Sequence, residues 1–325
     1  MGYATFDAMW QCAVSRTLSM GDELNSRAGK TREVLAYAET LVCPEMSILR
    51  SPARNMSIIY ASAELLWYIA ESKSAALILA YAPSYSRFID ANGEAFGHYG
   101  YRWRQSDSFA RFNCCRFNSQ IDVAIEYLKK SPETRQCVID IWNAGDILQG
   151  FDGQCKDIPC TLCLQLLARN GKLHWITTMR SNDLWLGMPY DVFCFTAMQK
   201  LIASAVGLEL GQYHHRVGSL HAYEKDWPKL MQPVTDLPNY AYSSSPRESI
   251  SYRQQTERAL TFETAARVVP GVLPPIVSLD GVHPVLRDAA LCCALKWCYG
   301  DRKKLISEMT QPAVKERANA YEPES

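Results

Sequence analysis

An α+β fold is predicted by three features of the 325-residue sequence. Residues 160–180 read as two long strands around Asn170-Gly171, a dipeptide tolerant of positive φ and therefore a strong two-residue hairpin signal. Ser57 to Ala70 and Tyr190 to Val206 carry apolar residues at helical spacing instead. No repeat, low-complexity stretch or composition break divides the chain, so one domain over residues 1–325 is expected.

In chain order, residues 16–33 are polar, contain Gly21 and Gly29, and read as part of an N-terminal loop region over about residues 1–33. Ser57 to Ala70 (SIIYASAELLWYIA) reads as a helix with Glu64 inside an otherwise apolar face. Asn118 to Lys130 aligns Ile121, Ile125 and Leu128 on a helical face, and Ser131-Pro132-Glu133 stops it. Gln136 to Trp142 (QCVIDIW) is rich in β-branched and aromatic residues and reads as a strand ahead of the hairpin. Tyr190 to Val206 reads as a buried helix, with Phe193, Ala197, Leu201 and Ala205 four apart. Pro228 to Pro246 is rich in proline and serine and reads as surface loop. The last helix is expected over Pro284 to Tyr299, followed by a loose polar tail over about residues 306–325.

Composition narrows the function. Hydrophobic residues make up 48% of the chain and charged residues 21%, as in ordinary globular proteins. Lys plus Arg and Asp plus Glu both total 34, and no basic stripe stands out. Partners such as polymeric nucleic acid or a membrane surface are therefore not expected, whereas a small anion needs only a few arginines. MGYATFDAMW shows no basic segment leading into an apolar one, and the longest apolar run, near Ser74 to Ala80, is far short of a membrane span. The twelve cysteines are scattered through a long chain, so reduced thiols in a cytoplasmic protein are expected.

The residues richest in chemistry lie between Pro159 and Tyr223. Pro159-Cys160 precedes the hairpin. Arg180-Ser181-Asn182-Asp183-Leu184-Trp185-Leu186-Gly187-Met188-Pro189-Tyr190-Asp191 follows it, and Gly218-Ser219-Leu220-His221-Ala222-Tyr223 comes later. Cys155, Cys160 and Cys163 mimic a zinc spacing, but no second Cys/His pair completes a site, and His214-His215 with His221 is equally incomplete, so no metal is expected. Pro159-Cys160-Thr161-Leu162-Cys163 also mimics half of a zinc-deaminase signature, but no His-x-Glu precedes it.

These segments resemble the thymidylate synthase family, in which a catalytic cysteine follows a proline, an R-S-x-D-x-x-L-G-x-P segment follows a strand hairpin, and a G-D-x-H-x-Y segment comes later. Glu64-Leu65-Leu66-Trp67 resembles the family's E-L-L-W helix, Tyr99 to Arg104 its Y-G-x-x-W-R segment, and Ser131 to Arg135 with Ile141-Trp142-Asn143 its P-x-x-R-R … W-N stretch. The matches keep the family's order over about residues 25–227. The resemblance implies a three-layer α+β fold around a large bent mixed β-sheet, dimerising through the sheet face. It also implies a pyrimidine nucleoside monophosphate as substrate, folate (5,10-methylenetetrahydrofolate) as co-substrate, and no metal.

The roles carried over are as follows. Cys160 is the nucleophile: adding a thiolate to C6 breaks the aromaticity of the pyrimidine and makes C5 enamine-like, and a nearby arginine favours the thiolate. A buried structural cysteine is the bland reading. Glu64 is the general acid/base that organises proton transfers, against a structural ion pair or cap. Arg180, Arg135 and the loop residue Arg27 hold the phosphate, Arg135 reaching the partner's site in a homodimer, while the fourth arginine position is Gln136 here. Ser181, Gln165, His221 and Tyr223 contact the nucleotide, and the family's aspartate before the histidine is Ser219 here. Asp183, Gly187, Tyr85 and Trp67 fall on the folate side. For several of these, hairpin or helix-start roles are the rival.

Asp191 stands where thymidylate synthases carry asparagine, and it resembles the cytidylate hydroxymethylase branch. Cytosine presents a 4-amino donor, which suits a carboxyl acceptor, and the rival is a helix cap near Tyr190. Three departures favour water over hydride as the last reagent: Thr161 in place of histidine, Tyr85 in place of tryptophan, and the polar end Tyr321 to Ser325 in place of a sealing apolar tail. The expectation is C5 hydroxymethylation of dCMP. Methylation of dCMP, hydroxymethylation of CMP, thymidylate synthesis from dUMP and a non-catalytic nucleotide- or RNA-binding relative remain the alternatives.

Overall fold

A computed structural model of the chain describes residues 2–26, 29–51, 54–104, 117–153, 155–232 and 250–321. Among the described residues, seven strands form one mixed sheet: β1 (Gly2–Tyr3), β2 (Asp22–Ser26), β3 (Gly29–Leu41), β4 (Val138–Asp140), β5 (Thr161–Arg169), β6 (Lys172–Asp183) and β7 (Glu209–Tyr223). Their order is β1-β3-β7-β6-β5-β4, with β2 paired to β3. β6 and β7 run parallel, and β5–β6 and β3–β7 run antiparallel.

The hairpin between β5 and β6 turns on Asn170 at φ 50° and Gly171 at φ 73°. Two successive positive φ values give the turn a twist that matches the strands it joins. Alternation then sorts the side chains. Leu164 and Leu166 of β5, Trp175 and Met179 of β6, and Tyr213 and Val217 of β7 are buried on one face. His174, Ile176, Thr178, His214 and Arg216 on the other are half-buried or exposed.

The buried face receives the Gly187–Val206 helix, which is apolar nearly all round and fills the centre of the molecule. Beyond it, the Ile58–Ala70 helix packs against the Pro284–Trp297 helix, and the Tyr252–Val268 helix packs on both. Ser57 caps the Ile58–Ala70 helix by accepting from Tyr60 N at 3.2 Å. Arg102 and Asp146 form a buried bidentate pair at 2.9 and 3.0 Å that ties the Tyr99–Arg104 segment to the strand–helix junction at Asn143.

Several sequence expectations are corrected. Among its described residues, the region about residues 1–33 is not loop. Thr5 caps a Phe6–Met20 helix whose Phe6, Met9, Trp10, Ala13 and Val14 form a buried stripe, and Asp22–Ser26 and Gly29–Leu41 are β2 and β3. β3 is held by its ladder with β7 from Thr31 to Leu41, so non-local pairing overrides its polar composition. The tail about residues 306–325 is likewise not loose as far as Tyr321. Helices Arg302–Glu308 and Pro312–Asn319 bury Leu305, Val314 and Ala318, and Asp288 accepts from the backbone of Thr310 and Gln311. Residues 322–325 lie outside the described residues.

The Tyr252–Val268 helix went unread because its sequence is polar. A capping box of Ser251 and Gln254 starts it, and Arg253 anchors it to Glu71 at 2.9 Å and Asp122 at 2.6 Å. The strand at Gln136 to Trp142 is confined to Val138–Asp140, and the last expected helix runs over Pro284–Trp297. Trp227–Leu230 is a short helix, and residues 233–246 of the expected loop lie outside the described residues. Among the described residues no helix is long and apolar enough to cross a membrane.

Candidate active site

Cys160 sits immediately before β5, and the hairpin builds its surroundings. The backbone N–H of Arg180 donates to the Cys160 carbonyl at 2.8 Å. The guanidinium of Arg180 folds back on the same loop, donating from Nε to Pro159 O at 3.0 Å and from Nη2 to Ile158 O at 2.9 Å. Cys160 is half-buried, and burial pushes its thiol up to about 11 despite the opposing pull of Arg180, with Asp191, Asp157 and Asp183 pushing the same way. Arg180 does favour the thiolate, in the expected direction, but in this chain desolvation outweighs it.

Glu64 projects from the Ile58–Ala70 helix toward the Gly187–Val206 helix. Tyr60 OH donates to its Oε1 at 3.4 Å, and Cys194 Sγ lies 3.9 Å from its Oε2. Neither partner is charged. Desolvation, with the Asp191 carboxyl nearby, raises Glu64 to about 8. No cation pairs with it among the described residues, so the ion-pair rival finds no support, and a carboxyl protonated at neutral pH is what a general acid requires.

Asp191 lies in the second turn of the helix that begins at Gly187, three residues before the expected start, and it is 9% exposed. It is therefore not an N-cap. Burial raises it to about 7, and a hydrogen bond from Asn182 Nδ2 to Oδ2 at 2.7 Å pulls the other way. Asn182 in turn accepts through Oδ1 from His215 Nε2 at 3.0 Å. The charges of Glu64, Asp191, Asp157 and Cys160 all act on the Tyr85 hydroxyl, so these groups share one neighbourhood. Tyr99 joins them, beside Thr161 and within reach of Cys160 and Asp191.

A second cluster forms where β6 and β7 end and β3 begins. Ser181 is opposite Ser219, and Asp183 opposite His221, in the β6–β7 register. The Ser181 hydroxyl is 3.3 Å from His221 Nδ1, and Tyr223 packs edge-on against His221 at 5.2 Å. The Ser219 hydroxyl donates to Glu33 Oε2 of β3. A carboxylate absent at position 219 is thus present from the neighbouring strand.

The remaining sequence-derived candidates divide. Trp67 is 1% exposed, stacks on His98 at 3.6 Å and donates to Ser74 O, so it backs Tyr85, which meets it edge-on at 5.5 Å. Asp183 accepts from Trp185 N at 2.8 Å, as a helix-entry turn residue does, and burial raises its carboxyl. Gly187 leaves room for a neighbour: a Cβ there would lie 2.7 Å from Asn182 Nδ2. Arg135 is exposed, and Gln165 on β5 donates to its carbonyl at 3.0 Å. Gln165 is the middle residue of β5, five residues on from Cys160. Arg27 lies outside the described residues. Among the described residues no group of His, Cys, Asp and Glu could hold a metal ion.

Asn182, His215, Tyr213 and Glu33 were missed from the sequence. Strand alternation carries the signal for Tyr213 and His215, because 213, 215 and 217 alternate inward along β7, whereas Asn182 is out of phase with the inward 175, 177 and 179 of β6. Glu33 has none, because the polar stretch that holds it reads as loop. As an arrangement, a thiol, a protonated carboxyl and a second carboxyl facing one volume can add to an unsaturated ring, move protons around it and read its polar edge.

Residues 9–265 match the thymidylate synthase family. A deoxyuridylate hydroxymethyltransferase of Bacillus phage SP01 is 30% identical over 220 residues, which cover 66% of this chain and 56% of that protein. The chain thus spans little more than half the length of that relative. The structure of a thermostable thymidylate synthase A from Bacillus subtilis superposes with a TM-score of 0.59 at 21% identity, over 72% of this chain and 87% of that one.

Proposed function

The chain belongs to the thymidylate synthase family, and from that premise we propose that it transfers one carbon from 5,10-methylenetetrahydrofolate to C5 of a cytosine nucleotide, with dCMP as substrate and 5-hydroxymethyl-dCMP as product. The observation that carries this reading is the buried Asp191 carboxyl, held near neutrality and oriented by Asn182. A carboxyl in that state can accept from a 4-amino group and donate to N3 of the same base.

In the proposed reaction Cys160 Sγ bonds to C6 of the pyrimidine as its proton leaves, and the C5–C6 π electrons become available at C5. The folate supplies a methylene group at the oxidation level of formaldehyde. Once that carbon is joined to C5, its bond to the folate nitrogen breaks and the C5 proton is lost, leaving an exocyclic methylene; water then adds its oxygen to that carbon, and the S–C6 bond breaks to restore the ring. Tetrahydrofolate is the second product. Glu64 holds the proton that the ring nitrogen and leaving amine need, while Tyr60 and Cys194 keep the carboxyl pointed inward. His221, Ser181, Tyr223 and the Ser219–Glu33 pair form a polar patch that suits a sugar hydroxyl. Tyr85, Trp185 and the half-buried Asp183 acceptor suit a flat, amide-bearing heterocycle such as a pterin.

Arg180, Arg135 and Arg27 are proposed to hold the phosphate, with Arg135 serving the second site of a homodimer. Its exposure, and the half-buried outer sheet face bearing Ile176 and Thr178, support that arrangement. A second reading, hydroxymethylation of dUMP, is favoured by the name of the phage relative.

Product mass tests both. Purified protein is incubated with methylenetetrahydrofolate and dCMP, CMP or dUMP, with Cys160→Ala as control. A gain of one CH2O unit on dCMP is the expected outcome. The same gain on dUMP alone replaces the substrate, a CH2 gain with dihydrofolate replaces the product, and no turnover of any nucleotide leaves a binding protein.

A further inference from the structure

Beneath Asp191 runs a line of buried polar side chains whose direction is fixed from one end. Trp175 Nε1, which can only donate, gives its hydrogen to Thr177 Oγ1 at 3.0 Å. Thr177 is left to spend its own hydrogen on the Tyr213 oxygen, and that bond is present. Tyr213 OH lies 2.9 Å from His215 Nδ1, His215 Nε2 lies 3.0 Å from Asn182 Oδ1, and Asn182 Nδ2 lies 2.7 Å from Asp191 Oδ2. Trp175, Thr177, Tyr213 and His215 are all 0% exposed, and Asn182 is 3% exposed. Burial holds His215 far below the usual histidine range, at about 3, so the ring is neutral and carries one N–H.

Only one assignment satisfies every donor. If Asn182 were turned so that its oxygen met Asp191, His215 would have to donate from Nδ1 to Tyr213. Tyr213 would then accept twice and bury its own hydrogen without a partner, which costs about 1–3 kcal/mol. In the other direction each donor group of the line finds an acceptor, ending with an amide N–H on Asp191 Oδ2.

We infer that Asn182 and His215 are positioning residues that set base selectivity, by keeping Asp191 Oδ2 an acceptor and confining any acidic hydrogen of Asp191 to Oδ1. The inference rests on the cytosine reading proposed above. An acceptor beside a donor is the complement of the N4–H and N3 edge of cytosine. Uracil in the same pose would set O4 against Oδ2 and N3–H against the Oδ1 hydrogen, acceptor on acceptor and donor on donor. The chain of five residues thus acts on which base is accepted rather than on the covalent step.

The test is the ratio of kcat/KM for dCMP to that for dUMP in wild type, Asn182→Leu, His215→Phe and His215→Gln, each checked for folding by circular dichroism. Leu and Phe remove the hydrogen bonds at similar volume, whereas Gln keeps a donor facing Asn182 Oδ1. The ratio is expected to fall on the order of tenfold in Asn182→Leu and His215→Phe and to recover in His215→Gln. Should Asn182→Leu not fold, the two His215 variants carry the same comparison. Equal losses on both substrates, with the ratio unchanged in a cytosine-selective wild type, would overturn the inference alone. A wild type that turns over dUMP and not dCMP overturns the cytosine reading first.

Discussion

The hydroxyl of Ser219 donates to the carboxylate of Glu33 across the β3–β7 pair, and Glu33 stands directly opposite His221 in that register. Glu33 therefore takes the place of an acidic side chain on β7 itself, beside the His221–Tyr223 pair. If this patch receives the sugar, Glu33→Ala should weaken nucleotide binding on the order of tenfold, since it unpairs Ser219 and loosens His221. Isothermal titration with dCMP measures this. Unchanged affinity would move the sugar elsewhere.

Glu64 carries a stability cost that depends on pH. The unfolded chain ionises it near 4.5, whereas in the folded protein desolvation holds the proton to about 8. Between those values the folded state binds the extra proton, so stability is full below about 4.5 and declines as pH rises toward 8. Asp191, raised from 3.8 to about 7, adds a slope of the same sign. Glu64→Gln, neutral at every pH, should abolish turnover yet stabilise the fold at pH 8 by roughly 4 kcal/mol, with little change at pH 4.5. Urea unfolding at both pH values decides it; a Gln variant less stable at pH 8 would show that the carboxylate is paired after all.

Much of this was legible in the sequence, and the reasons for the rest are specific. The β5–β6 hairpin, the Ile58–Ala70 helix and the core helix ending at Val206 announce themselves through Asn170-Gly171 and through apolar spacing, which are local signals. β3 and the Tyr252–Val268 helix do not. The first exists because β7 supplies its hydrogen bonds, and the second because Arg253 meets Glu71 and Asp122, partners 182 and 131 residues away. The site divides in the same way. Cys160, Glu64 and Asp191 carry unusual residue types in recognisable segments. Asn182 and His215 matter only through whom they touch, and the burial that outweighs Arg180 at the Cys160 thiol is a property of the assembled fold.

That burial has a kinetic consequence. With the Cys160 thiol pushed up to about 11, little thiolate exists at neutral pH. Alkylation of Cys160 by iodoacetamide in the free protein should then accelerate about tenfold per pH unit from pH 7 to 10. Peptide-level mass spectrometry isolates it from the exposed Cys12 and Cys43. A rate already flat above pH 7 would mean that Arg180 wins over desolvation and that the thiolate is present before any ligand binds.

Gly187 separates two effects of opposite sign. It opens a helix, where replacing glycine by alanine ordinarily stabilises by up to about 1 kcal/mol. A Cβ at this position would lie 2.7 Å from Asn182 Nδ2 and 3.5 Å from Asp191 Oδ2. The end of an asparagine side chain can usually swing aside. Asn182 is held on both sides, by Asp191 at 2.7 Å and by His215 at 3.0 Å, in a region with no exposed surface to move into. Displacing it would leave the His215 N–H and the Asp191 carboxyl short of partners, so the clash should dominate. Gly187→Ala is expected to destabilise by about 1–3 kcal/mol and to lower the preference between the two bases in the same direction as Asn182→Leu. Thermal unfolding and the kcat/KM ratio read the two consequences separately. A stabilised Gly187→Ala protein with its preference intact would show that Asn182 can yield without cost, and that its bond to Asp191 is a consequence of packing rather than a determinant of it.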